Sequence, residues 1–207
     1  MSLRKCGIAV LSVFACLAFS GLAYANNTVD FSNSGGVLSG SSAGLSLPSS
    51  ILVSVTGFPG VGSANGDLGT VSFTTGALSG GSLQMGGTFA AGGTFTIDSN
   101  GTGGLPNGVL FSGTFSGPST WTLTTLANGT HNYTLTGTLT GTLGTTSVTG
   151  ITVQLTINTG KGLFNGSTTI SGGDTSFATV PEPSTLAMMG TGALGILGAL
   201  RRKIVAR

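Results

Sequence analysis

Residues 119–136 are STWTLTTLANGTHNYTLT. Polar and apolar residues alternate on both sides of an Asn-Gly pair, and a period of two is typical of a strand with one buried face. If Asn128-Gly129 alone formed the turn, the apolar residues of one strand would face threonines of the other. A three-residue loop over 127–129 aligns the two apolar faces and puts Gly129 in the left-handed position of a bulged hairpin. The predicted apolar pairs are Trp121 with Leu135 and Leu123 with Tyr133.

The same alternation continues on both sides of this hairpin. Apolar residues recur at every second position from Ile151 to Ile157, and glycine-containing turn signals separate such stretches. Without a helical pattern between the strands, the sequence predicts an all-β fold, an antiparallel sandwich or barrel-like body over residues 26–179. Residues 33–50 are rich in Gly and Ser and are predicted to be the loosest segment. The predicted turns are Asn65-Gly66-Asp67, Asn100-Gly101, Asn107-Gly108, Asn128-Gly129 and Asn165-Gly166, and the predicted core phenylalanines are Phe73, Phe89, Phe95, Phe111 and Phe115.

The composition supports strands and excludes several other classes of protein. The 207 residues include 38 glycines, 25 serines and 32 threonines but only 12 charged residues. Helical bundles need more Glu, Lys, Arg and Gln, and charged disordered chains need less hydrophobicity than this sequence has. Between the two ends lie four aspartates and one lysine, a net charge of −3, so the basic pI comes from the ends. We therefore exclude nucleic acid as a partner, because its binding needs a basic folded surface.

The first 25 residues have the three regions of a secretory signal peptide. Arg4 and Lys5 precede an apolar run over residues 8–19, and small residues follow at Ala23 and Ala25. This order predicts a signal helix that signal peptidase removes, so that the mature chain begins at Asn26 and contains no cysteine. An uncleaved membrane anchor is the alternative, although the run is shorter than the about 20 residues of a spanning helix.

The last 28 residues combine three further features in a fixed order. Val180 begins a Val-Pro-Glu-Pro sequence that is followed by an apolar segment at about 186–200 and a basic end at 201–207. The prolines keep the backbone extended, as a protease cleft requires. Fifteen helical residues reach about 22 Å, and flanking polar residues and snorkelling basic side chains make a transmembrane helix feasible. Basic residues stay cytoplasmic, which would put the body outside the inner membrane.

This tail resembles the PEP-CTERM sorting tail of Gram-negative environmental bacteria. The resemblance covers residues 180–207, although the four residues after Lys203 extend beyond the usual basic end. It implies recognition by exosortase, a membrane protease or transpeptidase, a transient anchor in the inner membrane, and a final place at the cell surface or in the extracellular matrix, with exopolysaccharide as a partner. A plain membrane anchor that no enzyme cuts is the alternative. The sorting residues implied by the resemblance are Val180, Pro181, Glu182, Pro183, Arg201, Arg202 and Lys203.

Residues able to carry chemistry are few in the body, so we expect no catalytic site, cofactor or metal. His131 lies beside the predicted turn and is interpreted as a solvated loop residue. The Asp98–Gly103 stretch resembles the start of a calcium loop, but its twelfth position is Val109 instead of glutamate, which favours a turn. The four aspartates could meet as a glycosidase pair only if the fold brings distant residues together. They are Asp30, Asp67, Asp98 and Asp174.

Two function classes remain open. The first is a structural or adhesive protein of the exopolysaccharide matrix, with threonine-rich sheet faces that hydrogen-bond hydrated polymer. The second is a secreted glycan-binding or glycan-hydrolysing protein with Trp121 as a stacking platform, although the alternation puts Trp121 on the apolar face. Threonine arrays such as those at 134–136 and 138–140 would also permit ice or surface binding if they formed a flat outward array.

Overall fold

A computed structural model describes residues 28–178 of the chain. Within this range the backbone forms strands joined by turns, with a single short 3-10 turn at Thr102–Gly104. The strands are β1 (Thr28–Ser34), β2 (Val37–Ser41), β3 (Gly44–Phe58), β4 (Gly62–Asn65), β5 (Gly69–Thr75), β6 (Leu78–Ser82), β7 (Gly86–Phe89), β8 (Gly92–Asn100), β9 (Asn107–Phe115), β10 (Ser119–Thr125), β11 (His131–Leu143), β12 (Thr146–Asn158), β13 (Ser167–Thr169) and β14 (Gly172–Ala178).

Eight of these strands close into an antiparallel barrel. Their order is β12-β14-β1-β3-β5-β8-β9-β11, and the long β11–β12 hairpin joins the two ends. The remaining strands extend this barrel: β10, β7 and β6 continue from β11, β2 and β4 pair with β3, and β13 pairs with β2. The all-β prediction is confirmed, and of its two architectures the structure has the barrel. The predicted signal and transmembrane helices lie outside residues 28–178.

The barrel interior is filled by a connected set of phenylalanine rings. Phe73 and Phe95 face each other across β5 and β8 with ring centroids 5.9 Å apart. Phe111 and Phe177 meet edge to face at 4.8 Å, a favourable geometry for aromatic pairs. All five predicted core phenylalanines are buried. The connected rings are Phe58, Phe31, Phe177, Phe111, Phe95, Phe73 and Phe115.

Glycines of β11 make room for these rings. Inward positions of β11 alternate between large residues and glycine, as in Leu139 and Gly141. A Cβ atom on Gly137 would lie 2.8 Å from the Phe115 ring, and one on Gly141 would collide with the backbone oxygen of Ser112. Small and large residues therefore alternate in the barrel wall because the facing side chains already occupy the space. This explains the repeated Thr-Gly-Thr-Leu pattern of the sequence.

A second aromatic cluster ties two loops to the end of the barrel. Trp121 stacks on Tyr133 with centroids 5.1 Å apart, and Phe164 packs edge-on against Trp121 at 5.6 Å. Trp121 Nε1 donates a hydrogen bond to the carbonyl of Leu83 at 2.9 Å. The Tyr133 hydroxyl donates to the carbonyl of Gln84 at 2.6 Å and accepts from the backbone N–H of Phe164 at 3.0 Å. The polar atoms of these buried side chains are thus paired, as buried polar groups require.

The hairpin predicted from residues 119–136 has the expected register. Trp121 pairs with Leu135 and Leu123 pairs with Tyr133 between β10 and β11. The loop closes through a hydrogen bond from the backbone N–H of Leu126 to the carbonyl of Thr130, and Gly129 has a φ of 77°. The three-residue loop with a left-handed glycine is therefore confirmed.

Two local predictions were wrong. Residues 33–50 lie mostly in β1, β2 and β3, with Leu38, Leu45 and Leu47 buried, and glycines at positive φ form tight turns between these strands. Asn107-Gly108 is not a turn but the beginning of β9, where Asn107 pairs with Asn100 of β8. The other four predicted Asn-Gly turns lie at strand ends or between strands.

Candidate functional site

The outward side chains of neighbouring strands form polar rows across the barrel. In the first row, residues from eight strands lie side by side in register and all are polar. A second, shorter row runs parallel to it two residues away. We call these two rows the outer polar face. The first row is Asn65, Ser54, Ser32, Asp174, Gln154, Thr136, Thr120 and Thr88, and the second is Ser63, Thr56, Asp30, Ser176, Thr152 and Thr138.

All members of the outer polar face are exposed or half-buried. Neighbouring strands lie about 4.8 Å apart, and successive outward residues of one strand about 6.7 Å apart. The face therefore offers a regular array of hydroxyl, amide and carboxylate groups to the solvent. Five of the eight strands crossed by the first row belong to the closed barrel.

An open groove interrupts this face where β1, β12 and β14 meet. Its volume is about 480 Å³, within the range of small-molecule sites. Among residues 28–178, the groove is lined only by polar residues and glycine, and the Asp174 carboxylate is the single charged group of that lining. Ser32 Oγ donates a hydrogen bond to Asp174 Oδ1 at 2.7 Å. The lining residues are Ser32, Asn33, Ser34, Gln154, Thr156, Ser171, Gly172, Gly173 and Asp174.

A buried hydrogen-bond chain fixes the Asn33 side chain, which points inward from β1 beside the groove. Asn33 is only 5% exposed, and its Nδ2 donates to Ser50 Oγ at 2.7 Å. Ser50 Oγ donates its one proton to the carbonyl of Ser34 at 3.0 Å, so it must accept from Asn33. This settles the orientation of the Asn33 amide and leaves Oδ1 on the side of Gly173. Among residues 28–178, Asn33 Oδ1 accepts no hydrogen bond.

Two glycines at the beginning of β14 keep the groove open, for different reasons. A Cβ atom on Gly173 would lie 2.5 Å from Asn33 Oδ1, so a side chain there would displace the amide. A Cβ atom on Gly172 would have Asn33 O at 3.7 Å as its only neighbour within 4 Å. Neither glycine has a positive φ. Gly172 is therefore required neither by the backbone nor by crowding, and its missing side chain leaves the groove free.

The four aspartates lie in two separate regions. Asp30 and Asp174 lie on the adjacent strands β1 and β14, where Asp30 pairs with Ser176 and Asp174 with Ser32. The Asp67 backbone carbonyl accepts a hydrogen bond from Asn100 Nδ2 near the end of β8, the strand of Asp98. Asp30 Oδ1 is buried and has no hydrogen-bond partner among the described residues. Residues 28–178 contain no group of three His, Cys, Asp or Glu side chains that could hold a metal ion.

The other body residues singled out in the sequence have ordinary structural roles. Trp121 is 1% exposed and belongs to the core, as its alternation predicted, so its ring is not available to stack on a sugar. His131 is half-buried beside the hairpin loop and its Nδ1 lies 3.1 Å from Thr125 Oγ1. Asn100 Oδ1 accepts hydrogen bonds from the N–H and hydroxyl of Thr102, which confirms a turn at the suspected calcium loop.

The predicted processing residues lie outside residues 28–178. They are Ala23 and Ala25 of the signal segment, and positions 180–183 and 201–203 of the tail. Within the described range no helix has the length and apolar character to span a membrane. The predicted transmembrane segment at 186–200 belongs to the part of the chain that the structure does not describe.

The described residues define an all-β barrel protein, and a comparison with protein families identifies its C-terminal segment. Residues 179–203 match the family model of the PEP-CTERM protein-sorting motif. The resemblance found in the tail is thereby confirmed: the chain carries a PEP-CTERM sorting motif, which marks it as an exported protein that an exosortase-type enzyme processes at the membrane. Searches of curated proteins and of solved structures gave no significant match.

The groove was not predicted from the sequence. Ser32 and Asp174 are 142 residues apart in the chain and meet only because β1 pairs with β14. Asn33 is buried because it continues the inward alternation of Val29 and Phe31 along β1. The one available signal was Gly172-Gly173 at the beginning of a strand, since glycine in a strand often marks a close approach of another group.

Proposed function

We propose that the protein is a non-catalytic structural or adhesive component of the cell surface or exopolysaccharide matrix. Its tail directs it there, and its outer polar face contacts hydrated polymer. The observation that carries the proposal is the outer polar face itself, with fourteen polar residues in register on adjacent strands. Hydroxyl and amide groups both donate and accept hydrogen bonds, as do the hydroxyls of a polysaccharide.

The low charge of the body supports the same function. Of its five charged residues, only Asp30 and Asp174 belong to the outer polar face, and the other twelve members of the face are neutral. Contacts with hydrated polymer would therefore depend little on salt, because screening acts on charges and not on neutral hydrogen bonds. Each single contact is weak in water, so retention would come from many hydroxyl contacts at once.

Fractionation of the host tests the sorting part of the proposal. A variant with Pro181→Ala, Glu182→Ala and Pro183→Ala should accumulate in the inner membrane, whereas the unchanged chain should reach the cell surface or matrix. Val205→Ala, outside the matched segment, is the control and should behave as the unchanged chain does. If the triple variant reached the matrix in normal amounts, sorting through this triplet would be rejected.

Cosedimentation with polysaccharide extracted from the host matrix tests the adhesive part. Replacing Thr120, Thr136, Thr138 and Thr152 by valine keeps the branched shape and the strand propensity but removes four hydroxyls. We expect bound protein to fall several-fold. The same four positions changed to serine keep the hydroxyls and should retain binding. Equal binding of the valine and serine variants would contradict adhesion through this face.

The alternative of a secreted glycan-binding or glycan-hydrolysing protein has partial support. Burial of Trp121 removes the proposed stacking platform. The groove at β1, β12 and β14 favours glycan binding by another surface, because it is lined by residues with hydroxyl, amide and carboxylate groups. No described residue favours hydrolysis over binding, so binding is the version developed below.

A further inference from the structure

We propose that the groove between β1, β12 and β14 is a subsite for a short stretch of neutral, polyhydroxylated glycan. This inference rests on the proposed matrix function and assigns one defined site to it. The groove has about 480 Å³ of open space bounded by hydroxyl, amide and carboxylate groups. An apolar ligand would find no apolar side chain in this lining.

The polar groups of the groove are prepared for a hydrogen-bonding ligand. Ser32 Oγ donates a hydrogen bond to Asp174 Oδ1 at 2.7 Å, which fixes the two side chains against each other in the lining. The exposed Asp174 carboxylate keeps capacity to accept further hydrogen bonds from ligand hydroxyls. Gln154 and Asp174 are register partners on the outer side of β12 and β14, and both are exposed. Together they present an amide and a carboxylate side by side to a ligand in the groove.

Charge selects a neutral ligand over an anionic one. Asp174 is the only charged residue in the lining, and the single lysine of the body, Lys161, is not among the lining residues. An anionic sugar would meet a carboxylate without a compensating cation. The lining contains no aromatic ring, so one site should bind weakly, with a Kd of about 1 mM, and retention on a polymer would need several contacts.

A side chain at position 172 would fill the groove without disturbing the strand. Because it lacks a positive φ and a Cβ there meets open space, Gly172→Val should be accepted by β14 without strain. The branched side chain would occupy the space that the ligand needs. Ser171→Val, on the neighbouring exposed position, is a poorer control because Ser171 also lines the groove. Gly117→Val, whose Cβ would meet only Thr138 Oγ1 at 3.8 Å, places valine far from the groove in sequence and is the matched control.

The test is a titration of the exported protein, purified from its host, with neutral and anionic oligosaccharides. The probes are β-1,4-linked glucose, β-1,4-linked N-acetylglucosamine and α-1,6-linked mannose oligomers, with an oligogalacturonate as the anionic member. Binding is followed by NMR chemical shifts of backbone amides. We expect at least one neutral probe to shift amides of residues 32–34, 154–156 and 171–174. Gly172→Val should weaken this binding at least tenfold at an unchanged unfolding midpoint, while Gly117→Val should bind as the unchanged protein does.

Three results would overturn the subsite. The first is the absence of chemical-shift changes at the groove amides with every neutral probe at 10 mM, which is about ten times the expected Kd. The second is tighter binding of the oligogalacturonate than of the neutral probes. The third is unchanged binding by a folded Gly172→Val variant. Failure of the proposed function would look different. In that case the groove would bind its oligosaccharide while the unchanged chain was missing from the host matrix.

Discussion

The inner and outer faces of β11 differ in what limits their residues. On the inner face, Leu139 is buried and Gly141 is surrounded by the Phe111 ring and the backbone of β9. On the outer face, Thr136 and Thr138 are exposed and contact mainly solvent and their neighbours in the polar rows. On the inner face, the space left by neighbouring side chains decides which residue fits. On the outer face, a residue needs only to be polar and to favour a strand. Substitutions on the two faces should therefore affect different properties, stability on one and binding on the other.

The largest effect on stability is expected from Phe111→Ala. Phe111 is fully buried and meets both Phe95 and Phe177, so its removal leaves a cavity among rings that cannot collapse easily. Urea unfolding should show a loss of about 3–5 kcal/mol. Phe58→Ala, at the half-buried end of the same ring network, should cost clearly less. A loss below about 1 kcal/mol for Phe111→Ala would contradict the packing described for the barrel interior.

The next largest effect on stability is expected from Gly141→Val, which is compared with the same substitution at Gly172. Gly141→Val forces a side chain against Ser112 and Phe111, and overpacking of this kind costs about 1–3 kcal/mol. Gly172→Val points into open space and should change stability by less than about 0.5 kcal/mol. The two variants are compared by urea unfolding. Equal losses would mean that crowding does not explain the glycines of β11.

The Trp121–Tyr133–Phe164 cluster should be sensitive to the loss of one hydroxyl. Tyr133→Phe removes the hydrogen bonds to the Gln84 carbonyl and from the Phe164 N–H while the ring stays in place. The expected loss is about 1–2 kcal/mol, since buried backbone groups are left unpaired. Hydrogen exchange should become faster at Phe164, which contributes a protected N–H in the unchanged protein. Unchanged protection there would show that the hydroxyl does not hold the loop.

The smallest effect on stability is expected on the outer face. Thr136→Val should change the free energy of unfolding by less than about 0.5 kcal/mol, because the side chain is exposed and both residues favour strands. Binding to matrix polysaccharide should nevertheless fall, since one hydroxyl of the first polar row is lost. Thr136→Ser is the control. A large loss of stability with unchanged binding would reverse the roles assigned to the two faces.

The sequence predicted the parts of the fold that depend on neighbouring residues. The β10–β11 register followed from the need to pair Trp121 with Leu135, and the five phenylalanines were predicted in the core because they are large apolar residues in a chain rich in small ones. The choice between sandwich and barrel depends on pairings such as β1 with β14, whose residues are far apart in the chain. Alternation alone does not encode those pairings.

The sorting motif could be predicted from the sequence, whereas the groove could not. The motif is recognised by a short linear order of residues, so it could be found without a structure and was confirmed by the family comparison. The groove depends on the pairing of β1 with β14, on the pairing of β14 with β12 and on the open space at Gly172. None of these is visible until distant strands are placed together.

The intact mass of the surface-exposed protein reports whether an exosortase-type enzyme removes the tail. The protein is isolated from the host surface or matrix with and without a functional exosortase-type enzyme. With the enzyme present, the account predicts a chain that begins at Asn26 and ends near Pro183, and without it a chain that keeps the apolar segment and basic end and stays in the inner membrane. A surface protein that retains residues 186–207 in the presence of the enzyme would contradict the account.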